Sequence, residues 1–432
     1  MMEKYRDLAK RIIKEAQADH VVVNIWRSKE DNTRFGETRI TQNMSKDETL
    51  VKVEVSVGKK TGSVSFTLHD DVDIGEIGRR ARDAALGNVE DPEFLPPVEK
   101  VEIPFVSRKF ESTENLDPVR KAEILRDIFN DARSSALNVA GLFTNGLYQR
   151  AFFNSNGLEA YYEATGASFS ITVQTQTSSG YAKDAHENFE RLNPFEIYEI
   201  AKRKAILGQN PRDLEPGYYD VVLEPLAVAD FLDFMIFDLD ARGADEGRNY
   251  FAGKMGQKIF DERVTLYTDP LSELNPWIPF DDDGVPIEKT IFIRNGVLES
   301  LYYDRFWAFK NNRKPTGRFT SYILEGGSLS VDELVKKVEK GLLVTRFWYI
   351  RYVDRKSLTV TGMTRDGLFY IENGEIKYPV KNFRFNESPA RVLNAIVEVG
   401  KGRRVVGEEF SFPAYVPALL VKDFNFASKT EF

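Results

Sequence analysis

The chain has 432 residues, a net charge of -8, 42% hydrophobic and 12% aromatic residues, no cysteine, and histidine only at His20, His69 and His186. That length exceeds what a single core fills and the aromatic content suits an ordered protein. The acidic balance disfavours a general affinity for phosphate backbones or anionic membranes, disulfides are excluded, and nitrogen and sulfur ligands for a transition metal are almost lacking.

The N-terminus, MMEKYRDLAKRIIKEAQADH, carries a charge every few residues and lacks the apolar core of a signal peptide. No segment approaches the roughly 20 apolar residues of a membrane span, so a cytoplasmic protein is expected. Tyr5, Leu8, Ile12, Ile13 and Ala16 fall at helical spacing. Strands are predicted at 20–26, 33–41, 50–58 and 62–68, with KKTG at 59–62 as a hairpin turn, and a helix near Ile74–Leu86 follows. Residues 87–104 hold prolines without periodicity and read as a linker. A helix is expected over about 118–136 and strands over 139–177, turning at NSNG, 154–157, with another helix near 194–207. PGYYDVVLEP at 216–225 opens a strand-rich region with hairpin turns at Asn295-Gly296 and Asn373-Gly374 and helices near 225–240, 330–340 and 387–396. The fold class is α+β, in three units: 1–104 and 105–215, each helix plus antiparallel sheet, and a β-rich 216–432. There is no alternating βαβ pattern and no phosphate-binding loop.

The helix after Pro225 is apolar except for its aspartates. At about 100 degrees per residue Asp230, Asp233 and Asp240 share one face while Asp238 points elsewhere. Such a stripe is either a solvated edge, the more usual case, or a set of oxygen ligands for a hard cation such as magnesium. Residues 241–261 interleave glycines with Arg242, Arg248, Lys254 and Lys258, a loop suited to holding a carboxylate or peptide carbonyls or, equally, a plain surface loop. FDDDGVP at 280–286 has the composition of a turn and lacks the spaced ligands of a calcium loop. His69 before Asp70-Asp71 and His186 before Glu187 are expected to be surface histidines, and no nucleophile elbow is present.

RGADEGRNYFAGKMGQKIFDERVTLYTDP at 242–270, FDDDGVPIEKTIFIRNGVLESLYYD at 280–304 and PTG at 315–317 resemble the TldD/PmbA family, formerly called modulators of DNA gyrase. GLLVTRFWYIR at 341–351, GLFYIENGEIKYPVKNFRF at 367–385 and PALLVKDFNF at 417–426 continue the likeness, as do TRFGETRITQN and VGKKTGSVSFT in the first unit. The resemblance implies a peptidase assembled from a TldD subunit, which carries zinc on His-Glu-x-x-x-His with a cysteine near its C-terminus, and a TldE (PmbA) subunit without those ligands. Counting back without gaps from Phe251-Ala252-Gly253, Leu232, Asp233 and Phe237 stand where the histidine, glutamate and second histidine would fall. EVGKGRRVVGEEFSFPAY, where the cysteine would lie, contains none. The expected role is thus a metal-free TldE/PmbA-like subunit that helps bind peptide or unfolded substrate while a TldD-like partner supplies zinc. Arg242, Arg248, Asn249, Phe251 and Lys254 are its expected substrate-binding residues, and no catalytic or metal residues are expected in this chain. The alternative is a stand-alone homodimer that binds peptide or another ligand without hydrolysis.

Overall fold

The structure is a computed structural model that describes residues 1–69 and 72–430. Helix α1 (Met2–Ala16) buries Tyr5, Leu8, Ala9, Ile12 and Ala16 along one stripe and stops where Gln17 turns left-handed, φ 46°. Strands β1 (His20–Gly36), β2 (Arg39–Val57) and β3 (Lys60–Thr67) form a meander, followed by α2 (Ile74–Gly87), whose N-terminus Asp73 caps. Beyond 88–104, which forms no helix or strand, come β4 (Val106–Arg108), α3 (Glu111–Glu114), α4 (Pro118–Ser134), β5 (Asn138–Asn154), β6 (Glu159–Gln174), β7 (Ser179–His186) and α5 (Pro194–Leu207).

β1 and β5 pair antiparallel from Val22–Asn154 to Phe35–Gly141, so strands from the first two expected units share one seven-stranded sheet. Side chains alternate across it. Val23, Ile25, Val51 and Val53 pack under α1 and α2, while Phe143, Phe169 and Ile171 pack under α4 and α5. The opposite face, with Trp26, Tyr148 and Tyr162, turns toward the C-terminal region.

One hairpin departs from the predicted pattern. The span 33–41, expected as one strand, reverses at Glu37-Thr38, both at positive φ (50° and 55°). Such a turn ordinarily calls for Asn-Gly. Here tertiary bonds hold it: Thr38 N–H donates to Val139 O at 3.1 Å, Val139 N–H donates to Thr38 Oγ1 at 3.2 Å, and Arg133 donates to Thr38 O at 2.7 Å. The β2–β3 reversal lies at Gly58-Lys59, slightly before the expected KKTG. Asn295-Gly296 and Asn373-Gly374 turn as their composition predicts.

The C-terminal region forms an eleven-stranded mixed sheet. Its strands are β8 (Gly217–Leu223), β9 (Leu266–Thr268), β10 (Thr290–Arg294), β11 (Val297–Leu298), β12 (Tyr322–Leu324), β13 (Lys340–Asp354), β14 (Thr359–Glu372), β15 (Glu375–Pro379), β16 (Phe383–Glu387), β17 (Ile396–Val406) and β18 (Pro413–Lys429). Because β8 pairs with both β13 and β18, the run β18-β16-β14-β13-β8 closes on itself. Helix α6 (Pro225–Phe237) is buried on every side, as its nearly unbroken apolar sequence requires. Its Phe231 ring stands 5.8 Å from each of Phe347, Phe385 and Phe424, contributed by β13, β16 and β18. The architecture is α+β, and no helix among the described residues is long and apolar enough to cross a membrane.

Candidate functional site

Helix α6 brings the positions of interest to the centre of the C-terminal region. Leu232 lies in the core at 1% exposure, whereas Phe237, on the last turn, is 40% exposed. Phe237 stacks on Phe410 at 5.7 Å, and the Arg318 and Arg355 guanidinium groups lie 5.9 and 5.7 Å from its ring centroid. Hydrocarbon at both positions offers no lone pair, so these residues do not fit a zinc ion. Among the described residues no group of three or more His, Asp or Glu is placed to share a metal.

The aspartate stripe is not a solvated edge. Asp230 and Asp233 are fully buried, and α6 ends at Phe237, so Asp240 does not share their face. Asp240 instead caps the short helix α7 (Ala241–Asp245), accepting from Gly243 N–H at 2.8 Å. Asp230 accepts from Glu408 N–H at 2.6 Å, and Asp233 accepts from the Tyr322 hydroxyl at 2.8 Å. Burial raises both acids, Asp230 well above the carboxylate range and Asp233 to about 7, the Tyr322 bond opposing the latter. Gly407 closes over them: a Cβ there would come within 2.4 Å of Asp233 Oδ2. Glu408 accepts from the Tyr181 hydroxyl (2.9 Å) and Lys183 (3.0 Å) of β7, joining the two sheets through this cluster. Asp238 is pushed up to about 6 by burial, opposed by its 2.8 Å pair with Arg355.

At the C-terminal end of α6 lies a cavity of about 690 Å3, whose walls include Phe237, Asp238, Arg248, Asn249, Arg318 and Phe412. Two of the five expected substrate-binding residues reach it, Arg248 and Asn249. Asn249 is a brace as well, donating to the Asp238 and Asp240 carbonyls at 3.0 Å and accepting from Phe251 N–H. The other three lie elsewhere. Arg242 makes a bidentate pair with Glu93 (2.9 and 2.7 Å), Phe251 is in the core, and Lys254 covers the Tyr250 ring at 3.0 Å. A second cavity, about 640 Å3, lies between that face of the first sheet and the C-terminal region, with Trp26, Tyr148 and Tyr162 below and Leu226, Trp277 and Val405 above.

FDDDGVP is a turn, as its composition predicts: Asp281 accepts from the N–H groups of Asp283 and Val285, both at 2.9 Å, and of Arg318. His186 accepts from Asn188 N–H at 3.0 Å and burial lowers its pKa, His20 packs near Phe94, and His69 is exposed, while Asp70 and Asp71 beside it fall outside the described residues. Arg318, Tyr322, Glu408 and Phe410 were not legible as site residues, because no local motif signals them. Only the PTG preceding Arg318 carries a sequence mark.

Comparison with known proteins adds a lineage. The family model described as PmbA/TldA metallopeptidase C-terminal domain matches residues 216–428, and the model for the central domain matches 111–208. The chain is 25% identical over 413 residues to a metalloprotease of Methanothermobacter thermautotrophicus, covering 86% of this chain and 88% of that protein. It is 23% identical over 271 residues to the metalloprotease PmbA of Escherichia coli O157:H7, covering 60% of this chain and 59% of PmbA. The fold is that of TldE from Thermococcus kodakarensis, with a TM-score of 0.86, 20% identity, and coverage of 98% of this chain and 99% of that one.

Proposed function

The chain belongs to the PmbA/TldD metallopeptidase family, and from that premise we propose that it is a TldE-like subunit, binding peptide or unfolded substrate while a TldD-like partner supplies the zinc. One observation carries this reading: α6 runs unbroken from Pro225 to Phe237, with Leu232 buried in the core and Phe237 stacked on Phe410, the two positions that an ungapped count matches to the histidines implied for a metal-bearing subunit. Neither side chain donates electrons to a divalent ion, and Asp233, at the glutamate position, is sealed from substrate. No hydrolytic step is therefore assigned to this chain.

Its contribution is recognition. An extended segment adds backbone hydrogen bonds to a strand edge and places side chains in neighbouring cavities. The two cavities beside the 407–412 segment suit such side chains, with Arg248 and Asn249 on the rim of one. Arg242, Phe251 and Lys254 support the loop that carries them.

The test is co-expression with a related chain that bears His-Glu-x-x-x-His, followed by peptidase assays on each protein and on the mixture. Hydrolysis by the mixture beyond that of the partner alone is expected. Hydrolysis by this chain alone that survives a strong chelator would end the reading.

A further inference from the structure

Three arginines line the cavity at the end of α6, and two are committed. Arg355 pairs with Asp238 at 2.8 Å and Arg248 with Glu246 at 2.6 Å. The acids Asp240 and Asp304 on the same walls are engaged in helix caps, accepting from Gly243 N–H at 2.8 Å and Trp307 N–H at 2.7 Å. Arg318 differs. Among the described residues its guanidinium makes no hydrogen bond and no ion pair, and it stands 5.9 Å from the Phe237 ring centroid.

The backbone beneath Arg318 is held from four sides. Its N–H donates to the Asp281 carboxylate at 2.9 Å, which ties it to the FDDDGVP turn. Gly317 takes φ +69° against the Pro286 carbonyl, where a Cβ would approach to 3.0 Å, so the PTG segment requires glycine at its end. Thr316 accepts from Tyr303 N–H at 3.1 Å, and Phe319 packs on Phe292 at 4.4 Å. Two of the motifs that mark this sequence thus converge on the placement of one uncommitted cation.

A guanidinium presents a planar fork that matches two oxygens of a carboxylate, and the rings of Phe237, Phe319 and Phe412 on the same walls suit a hydrocarbon body next to that charge. We propose that this cavity receives the C-terminal carboxylate of a peptide, with Arg318 as its anchor and the three phenylalanines covering the terminal side chain. The proposal deepens the peptide-binding reading above and rests on it. The step is binding alone, and no bond is made or broken.

The test uses the full chain and an N-terminally dye-labelled, unstructured peptide ending in Ala-Phe, titrated by fluorescence anisotropy as the free acid and as the C-terminal amide. A charge-assisted bond of this kind is worth a factor of about ten or more in affinity. The acid is expected to bind at least about tenfold more tightly than the amide. Arg318→Gln should erase that difference with an unchanged thermal midpoint, and Arg318→Lys should retain part of it. Equal binding of acid and amide, a full difference persisting in Arg318→Gln, or no binding of either peptide would overturn the proposal. So would equally tight binding of an amidated peptide that carries an internal aspartate. Hydrolysis of an amidated peptide by the mixture with a His-bearing relative is scored separately, so the subunit reading can survive each of these results.

Discussion

Burial lets Asp233 keep, toward neutral pH, a proton that the unfolded chain releases. Its carboxyl is pushed to about 7 when folded, against an ordinary value of 3.8, so the native state holds a proton that the unfolded state releases. The sign follows from linkage: stability contributed by the neutral acid is complete below about pH 4, falls as pH rises toward 7, and levels off above. The loss is on the order of 4 kcal/mol at 1.36 kcal/mol per pKa unit. Asp233→Asn keeps an acceptor for Tyr322 and removes the charge, so its thermal midpoint should match the wild type near pH 4 and exceed it at pH 8. An unchanged pH slope would contradict this. The same pocket makes Gly407 irreplaceable for a steric reason, since the Cβ of Gly407→Ala meets Asp233 Oδ2. That overpacking should cost about 1–3 kcal/mol in urea unfolding. The sequence displays these aspartates but not their burial, which is set by the 407–412 segment arriving from more than 150 positions downstream.

At the scale of elements, helices and hairpins with a local cause were legible and those with a distant cause were not. The stripe of α1, the Asp73 cap of α2 and the Asn-Gly turns follow from neighbouring residues. The Glu37-Thr38 reversal does not, because its conformation is imposed by Val139 and Arg133. Thr38→Gly should therefore destabilise the protein by about 1 kcal/mol or more, through the lost Oγ1 bonds to Val139 N–H and Asn138, although glycine suits the turn. Glu37→Asn, which gives up only an exposed pair with Arg39, should be neutral to stabilising. Chemical denaturation of the two variants decides between local and tertiary control. Helix α6 is legible as buried from its apolar sequence. Its surroundings are not, since Phe347, Phe385 and Phe424 come from three separate strands. Removing the ring at their junction, Phe231→Ala, should cost about 3–5 kcal/mol by the same measurement.

Across the whole molecule, the two sheets are joined by polar contacts as well as by packing. Arg404 reaches Glu187 at 2.7 Å, Ser179 donates to Asp366 at 2.6 Å, and Tyr181 and Lys183 converge on Glu408. These ties hold the segment between the two cavities against α6. The family was legible in the order of its motifs. Arg318 was not, because its role depends on a turn, a glycine and a phenylalanine drawn together from three places in the chain. Leu232 and Phe237 offer no lone pair to a zinc ion, and on the subunit reading proposed above the isolated chain holds no stoichiometric zinc. Titration of the isolated, chelator-stripped chain with zinc, followed by metal analysis after desalting, tests it most directly. Zinc well below one equivalent per chain is predicted. One tightly retained equivalent, lost when Asp230 and Asp233 are replaced by asparagine, would contradict it.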